Sequence, residues 1–222
     1  MINIQGYQIV SQIYKGSLSS IYRAAKNEDN KPVIIKLMHV EYPTPQELSG
    51  FIREYEIVRQ LHGDGIIEVY SLEKFNNGLT IVMEDIGGES IASKLKAINL
   101  TIEEKLLLSI QMTECLQQVH QQNIIHKDVN PSNFIWNPES QQIKIIDFGI
   151  STELIRETQS VSQNGLEGTI AYISPEQTGR INCPVDHRSD LYSLGVTLYE
   201  LFSNKLPFDC PDETDIVYHH IA

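Results

Sequence analysis

The chain has 222 residues, 41% of them hydrophobic, and a formal net charge of −12. That is enough apolar material for one large domain or two small lobes with a core, and the acidic balance argues against gripping nucleic acid or an anionic membrane by charge. The N-terminal residues show neither the basic nor the apolar region of a signal peptide, and no apolar run is long enough to span a bilayer.

Residues 7–40 read as strands. Val33-Ile34-Ile35-Lys36-Leu37-Met38 is an apolar run with one lysine inside it. Strand alternation puts Ile34, Lys36 and Met38 on one side, and a lysine on a buried strand needs an anionic partner. Thr44-Pro45-Gln46-Glu47 predicts a helix start: Thr44 caps, Pro45 fits the first helical position, and Glu47 completes a capping box. The helix runs to about Leu61 and carries Glu54 and Glu56. Segments 66–75 and 79–84, joined by Asn76-Asn77-Gly78, predict a hairpin.

After Gly87-Gly88 the pattern turns helical. Thr101-Ile102-Glu103-Glu104 is a second capping box, and Leu106, Ile110, Thr113, Leu116 and Val119 recur at steps of three or four. Segments 134–136 and 143–146 read as a short hairpin around Asn137-Pro138-Glu139-Ser140. Residues 189–202, apolar nearly all round, read as a buried helix. The organisation is therefore α+β: a first third of sheet with one helix, then a mainly helical remainder, with a crevice expected near residues 84–88. Cys115, Cys183 and Cys210 are odd in number, far apart and without a C-x-x-C spacing. They read as free thiols in a reducing compartment, which predicts a cytoplasmic protein. His39, His62, His120, His187, His219 and His220 show no metal-ligand spacing.

The most informative stretch is His126-Lys127-Asp128-Val129-Asn130-Pro131-Ser132-Asn133, followed fourteen residues later by Asp147-Phe148-Gly149. Phosphoryl transfer to a hydroxyl needs such a set. One carboxylate orients the hydroxyl proton, an amide on the same loop reaches a magnesium ion, and a second carboxylate holds the metal that bridges the phosphates. The two pieces match the patterns H-R-D-L-x-x-x-N and D-F-G, and from about Tyr7 onward the chain resembles the protein kinase family.

That resemblance implies a bilobal, protein-kinase-like fold over residues 7–222, with an N-lobe of about 7–86 and a C-lobe of about 87–222. It implies a bacterial serine/threonine kinase that transfers the γ-phosphate of ATP to a protein substrate, with Mg²⁺, in signal transduction. Lys36 sits where the family's V-A-I-K lysine sits and would contact phosphates. Glu54 matches its helix partner, with Glu56 as the alternative. Asp128 matches the catalytic aspartate; Asn133 and Asp147 match the metal ligands. Ile13, Gly16, Ser17 and Ile21 fall in the phosphate-covering loop region. Met83 looks like the residue at the back of the nucleotide pocket, and Glu84 to Ile86 like the segment that meets adenine. Gly168-Thr169 and Ser174-Pro175-Glu176 look like the end of an activation segment, the former favouring a serine or threonine acceptor. Asp190 looks like the residue that braces the catalytic loop.

Four departures from the family pattern stand out. The glycine-rich loop, Tyr14-Lys15-Gly16-Ser17-Leu18-Ser19-Ser20-Ile21, keeps only Gly16 of three glycines, leaving the hydroxyls of Ser17, Ser19 and Ser20 as donors. Asn130 stands where serine/threonine kinases carry a lysine that touches the transferring phosphate; losing such a donor costs about 10²–10³ in rate. Lys127 replaces an arginine and keeps its charge but not its fork; the charge still suits a phosphorylated activation segment, with Thr158, Ser160 and Ser162 as candidate sites. The part after Lys205-Leu206-Pro207-Phe208 is short, which predicts a domain incomplete at its C-terminus. It also predicts a Glu176 without its arginine, at a cost of about 3–5 kcal/mol if left buried and unpaired. The stretch from Pro175 to Arg180 and from Val185 to Asp190 resembles the kinase domain of large cyanobacterial signalling proteins that carry ATPase-like and histidine kinase modules downstream. Two other readings remain open: a pseudokinase-like nucleotide-binding or scaffolding module, and a fragment without function of its own.

Overall fold

The computed structural model describes residues 4–38, 42–97, 99–154 and 167–222. The chain divides into two compact units, Met1–His62 with Ile67–Gly87, and Gly63–Ile66 with Gly88–Ala222.

The first unit is an antiparallel five-stranded sheet with one helix. Its strands β1 (Tyr7–Lys15), β2 (Ser19–Lys26), β3 (Pro32–Met38), β4 (Val69–Phe75) and β5 (Gly78–Glu84) lie in the order β1-β2-β3-β5-β4. Period-two alternation splits the apolar residues between the faces. One face buries Tyr22, Ala24, Val33, Ile35, Leu37 and Val82; the other buries Ile81 and Met38 with Phe51 of helix α1 (Pro45–Gln60). The α1 capping box forms as its sequence predicts: Thr44 Oγ1 accepts from the Glu47 N–H and the Glu47 carboxylate accepts from the Thr44 N–H.

Two boundaries differ from the sequence reading. β4 starts at Val69 rather than residue 66, because Ile66 is taken by the second unit, where it bridges Ile145 and its carbonyl accepts from Lys144 Nζ. The hairpin turn is only Asn76-Asn77: Phe75 already pairs with Gly78, and Asn76 takes the left-handed conformation (φ 51°) that asparagine tolerates.

The second unit contains the short strand β6 (Glu89–Ser90), helices α2 (Ile91–Ala97) and α3 (Ile102–His120), strands β7 (Ile124–Ile125), β8 (Phe134–Asn137), β9 (Gln142–Ile145) and β10 (Thr152–Glu153), and helices α4 (His187–Ser203) and α5 (Glu213–Ile221). β6, β8 and β9 form one small sheet, and β7 pairs with β10. The buried stripe of α3 is Lys105, Leu108, Met112, Cys115, Leu116 and Val119, whereas Leu106, Ile110 and Thr113 are exposed. The stripe starts at a lysine because Lys105 Nζ donates to the Phe202 carbonyl and to Asn204 Oδ1, at the C-terminal end of α4. Helix α4 is not buried all round: Leu191, Tyr199 and Phe202 are exposed. Its buried residues are mixed, Ser189, Asp190, Ser193 and Thr197 beside Leu194, Val196 and Leu201. The Cys115 thiol is buried against Gly65, burial pushing its pKa up to about 12, while Cys183 is exposed. Among the described residues no helix is long and apolar enough to cross a membrane.

Candidate active site

In the first unit, Lys36 Nζ meets Glu54 Oε1 at 2.6 Å, with side chains 13% and 9% exposed. Strand alternation turns Lys36 toward the α1 side of the sheet, opposite Ile21 and Ile81. The capped α1 presents Glu54 on its buried face with Phe51 and Val58, while Glu56 is exposed. Of the two candidate glutamates, Glu54 is therefore the one that meets the lysine.

Met83 lies opposite Ile34 on the sheet. After it, the Glu84 carboxylate accepts from the Glu68 N–H at 2.7 Å. Asp85 accepts from Arg23 Nε at 2.6 Å and from the Gly87 N–H at 2.8 Å. Both acidic side chains of this segment are thus drawn back onto their own unit. Ile86 is half-buried.

At the other end of β1, the Gly16 N–H donates to the Ser19 carbonyl. A Cβ on Gly16 would come within 2.8 Å of the Tyr14 ring, so the aromatic side chain lies over the turn that glycines leave open in the family pattern. Ile13 and Ser17 are exposed, Ile21 is half-buried, and Ser20 points into the buried face of β2, away from the face that carries Ile21 and Lys36.

In the second unit, Asp128 is gripped from two sides. Its Oδ1 accepts from the Thr169 N–H at 2.9 Å and from Thr169 Oγ1 at 2.7 Å. Its Oδ2 accepts from Asn133 Nδ2 at 3.0 Å, and the same nitrogen reaches the Asp128 carbonyl at 2.8 Å. The loop itself rests on Asp190, which is fully buried. Asp190 accepts from the N–H groups of His126 and Lys127 at 2.8 and 2.7 Å and from His120 Nε2 at 2.8 Å. These bonds offset the left-handed backbone of Lys127 (φ 67°), a conformation that costs about 1–3 kcal/mol in a non-glycine residue. His126 is structural: its Nε2 donates to the Ile146 carbonyl, its Nδ1 accepts from the Asp128 N–H, and its ring packs edge-on to Phe148.

The β8–β9 hairpin brings the two candidate metal ligands to adjacent strand ends. The Ile146 N–H donates to the Asn133 carbonyl, and Asp147 follows at once, exposed and with φ 64°. The Asn133 side chain spends its nitrogen on Asp128, so its Oδ1 remains the acceptor end of the amide. One carboxylate and one amide oxygen form a hard-oxygen set of the kind Mg²⁺ accepts alongside phosphate oxygens and water. Among the described residues no group of three or more His, Cys, Asp or Glu offers a closed metal cage.

Glu176 is half-buried and accepts from Ser189 Oγ at 2.5 Å, so the carboxylate expected to be stranded has a hydroxyl partner. Gln177 Nε2 donates to the Lys127 carbonyl, and Lys127 Nζ lies 3.8 Å from Glu167. Thr158, Ser160 and Ser162 lie outside the described residues. Sequence reading missed two contacts, Thr169 to Asp128 and Arg23 to Asp85. They join positions 41 and 62 residues apart, and no local pattern announces such pairs.

The sequence model of the protein kinase domain matches residues 7–222. A probable serine/threonine-protein kinase of Clostridium acetobutylicum is 31% identical over 218 residues, 97% of this chain and 32% of the relative. The serine/threonine-protein kinase PrkC of Bacillus subtilis is 30% identical over 218 residues, 97% of this chain and 33% of the relative. A probable serine/threonine-protein kinase of Bifidobacterium longum is 28% identical over 220 residues, 97% of this chain and 28% of the relative. The chain thus spans about a third or less of the length of these curated relatives. With an α+β fold of a sheet-rich unit and a mainly helical one, the chain belongs to the protein kinase domain family.

Proposed function

We propose that this kinase domain transfers the γ-phosphate of Mg-ATP to a serine or threonine hydroxyl of a protein. The observation that carries the reading is the Asp128 carboxylate, held by Thr169 and Asn133 on a loop braced by buried Asp190. In this reading Asp128 accepts or orients the proton of the substrate hydroxyl. Lys36, kept in place by Glu54, binds phosphate oxygens, and Met83, Glu84 and Ile86 meet the base. Ile13, Gly16, Ser17 and Ile21 cover the nucleotide. Asn133 and Asp147 hold the Mg²⁺, which neutralises charge on the phosphates when bound. The serine or threonine acceptor, the protein substrate and the action in the cytoplasm are part of the same proposal. The names of the bacterial relatives support the first two, and three free cysteines support the third.

The finer reading of lobes at about 7–86 and 87–222 within a longer signalling protein, with ATPase-like and histidine kinase modules, draws on the stretch from Pro175 to Asp190. The greater length of the relatives adds to it. The Tyr14 ring over Gly16 favours a second reading, a nucleotide-binding or scaffolding module without turnover.

The test is a thermal shift with and without Mg-ATP, on wild type and Lys36→Met, followed by phosphotransfer to a protein acceptor. A ligand that binds only the native state at about 100 times its Kd stabilises by about 2.7 kcal/mol. The kinase reading expects a shift in wild type, its loss in Lys36→Met, and labelled acceptor. A shift without transfer supports the module reading, and no shift overturns both.

A further inference from the structure

We propose that Asn130 is a positioning residue that locks the Thr169 segment onto Asp128, a task that takes the place of a phosphate contact. The proposal rests on the kinase reading above. Asn130 is 3% exposed. Its Nδ2 donates to the Asp128 carbonyl at 3.2 Å and to Thr169 Oγ1 at 3.3 Å, and its Oδ1 accepts from the Ser132 N–H at 2.9 Å. A primary amide has two N–H donors, and both are committed inside the chain.

These bonds close two small circuits around one carboxylate. On one side, Asn130 holds the Thr169 hydroxyl, which itself donates to Asp128 Oδ1. On the other, Asn130 Oδ1 starts the 3-10 turn Pro131–Asn133, whose last residue donates to Asp128 Oδ2. The side chain of Asn130 therefore sets both neighbours of the proposed base without touching the reacting atoms.

A lysine has three donors and no acceptor. At this position it would take away the acceptor that the Ser132 N–H meets and put a charge where the amide is nearly fully buried. Asn130→Lys, which restores the residue usual in serine/threonine kinases, is therefore expected to lower activity. The turnover should fall about tenfold or more, as small displacements of a catalytic group do, while KM for Mg-ATP stays within about twofold because the nucleotide contacts lie elsewhere.

Thr169→Val removes the hydroxyl and keeps the shape. In that background Asn130→Lys should add less than about threefold, because residues acting through one another are not additive. A second readout needs no turnover: amide hydrogen exchange by NMR. Faster exchange of the Ser132 and Thr169 amides in Asn130→Lys supports the proposal even if the wild-type chain transfers no phosphate, an outcome that would sink the kinase reading instead. Should Asn130→Lys not fold, Thr169→Val decides through the Asn130 side-chain amide protons, which should then exchange faster. Turnover of Asn130→Lys at or above wild type overturns the proposal. So do unchanged Ser132 and Thr169 amides, or, where Thr169→Val must decide, unchanged Asn130 amide protons.

Discussion

In the first unit the polar groups of the candidate site are held by opposite charge: Lys36 by Glu54 and Asp85 by Arg23, each at 2.6 Å. In the second, Asp128 is held by an amide, a hydroxyl and a backbone N–H, all uncharged. Coulombic attraction falls off slowly with distance and angle, whereas a hydrogen bond weakens steeply once bent or stretched. The sheet can therefore shift somewhat without releasing its lysine. The contacts of Asp128 depend more on geometry, and their loop is seated on a fully buried carboxylate, Asp190.

The contrast can be broken most severely at Asp128. Asp128→Asn keeps shape and most of the surrounding bonds but removes the proton acceptor, so the turnover of phosphotransfer is expected to fall by about 10²–10⁴; a mutant within tenfold of wild type would remove Asp128 from the role given to it. Next comes stability. Lys36→Met leaves Glu54 buried without its cation, which should cost about 3 kcal/mol in chemical denaturation. Adding Glu54→Gln should return much of that loss, since no carboxylate then faces the methionine. Failure of the second change to rescue would mean the pair is not what holds α1 to the sheet.

The smallest effect sharpens the comparison at a third place. His220 on α5 is buried beside Phe208 and Tyr192, whose hydroxyl meets its Nδ1. Burial holds its pKa below the ordinary value of 6.5. The unfolded chain takes up this proton as pH falls below about 6.5 while the folded chain does not, so stability is lost on acidification through that window and is unaffected well above it. Denaturation midpoints at about pH 7.5 and about pH 5.5 should differ less in His220→Leu than in wild type.

Local chemistry made much of this legible beforehand. The helix starts at Thr44 and Thr101 follow from residues three apart, and both capping boxes form. The lysine inside an apolar strand demanded an anion, and Glu54 supplies it. What escaped reading depends on distant partners. The stripe that α3 buries was read correctly at Leu116 and Val119 but not in its first half, where it runs through Lys105, whose partners are about a hundred residues away at the end of α4. The start of β4 was misplaced because Ile66 serves the other unit. At the site, Asp128 and Asn133 were singled out by their match to the kinase catalytic-loop pattern, and the structure brings their side chains together. The Thr169 contact that holds one oxygen of Asp128 was not.

Buried Cys115 and exposed Cys183 give the molecule a chemical clock. Only a thiolate is alkylated quickly, and with its pKa pushed up to about 12 and its sulfur packed against Gly65, Cys115 is shielded twice over. Cys183 marks time zero of labelling. The delay before Cys115 follows reports how often the second unit opens around the helix that leads into the Asp128 loop, with no probe added to the chain.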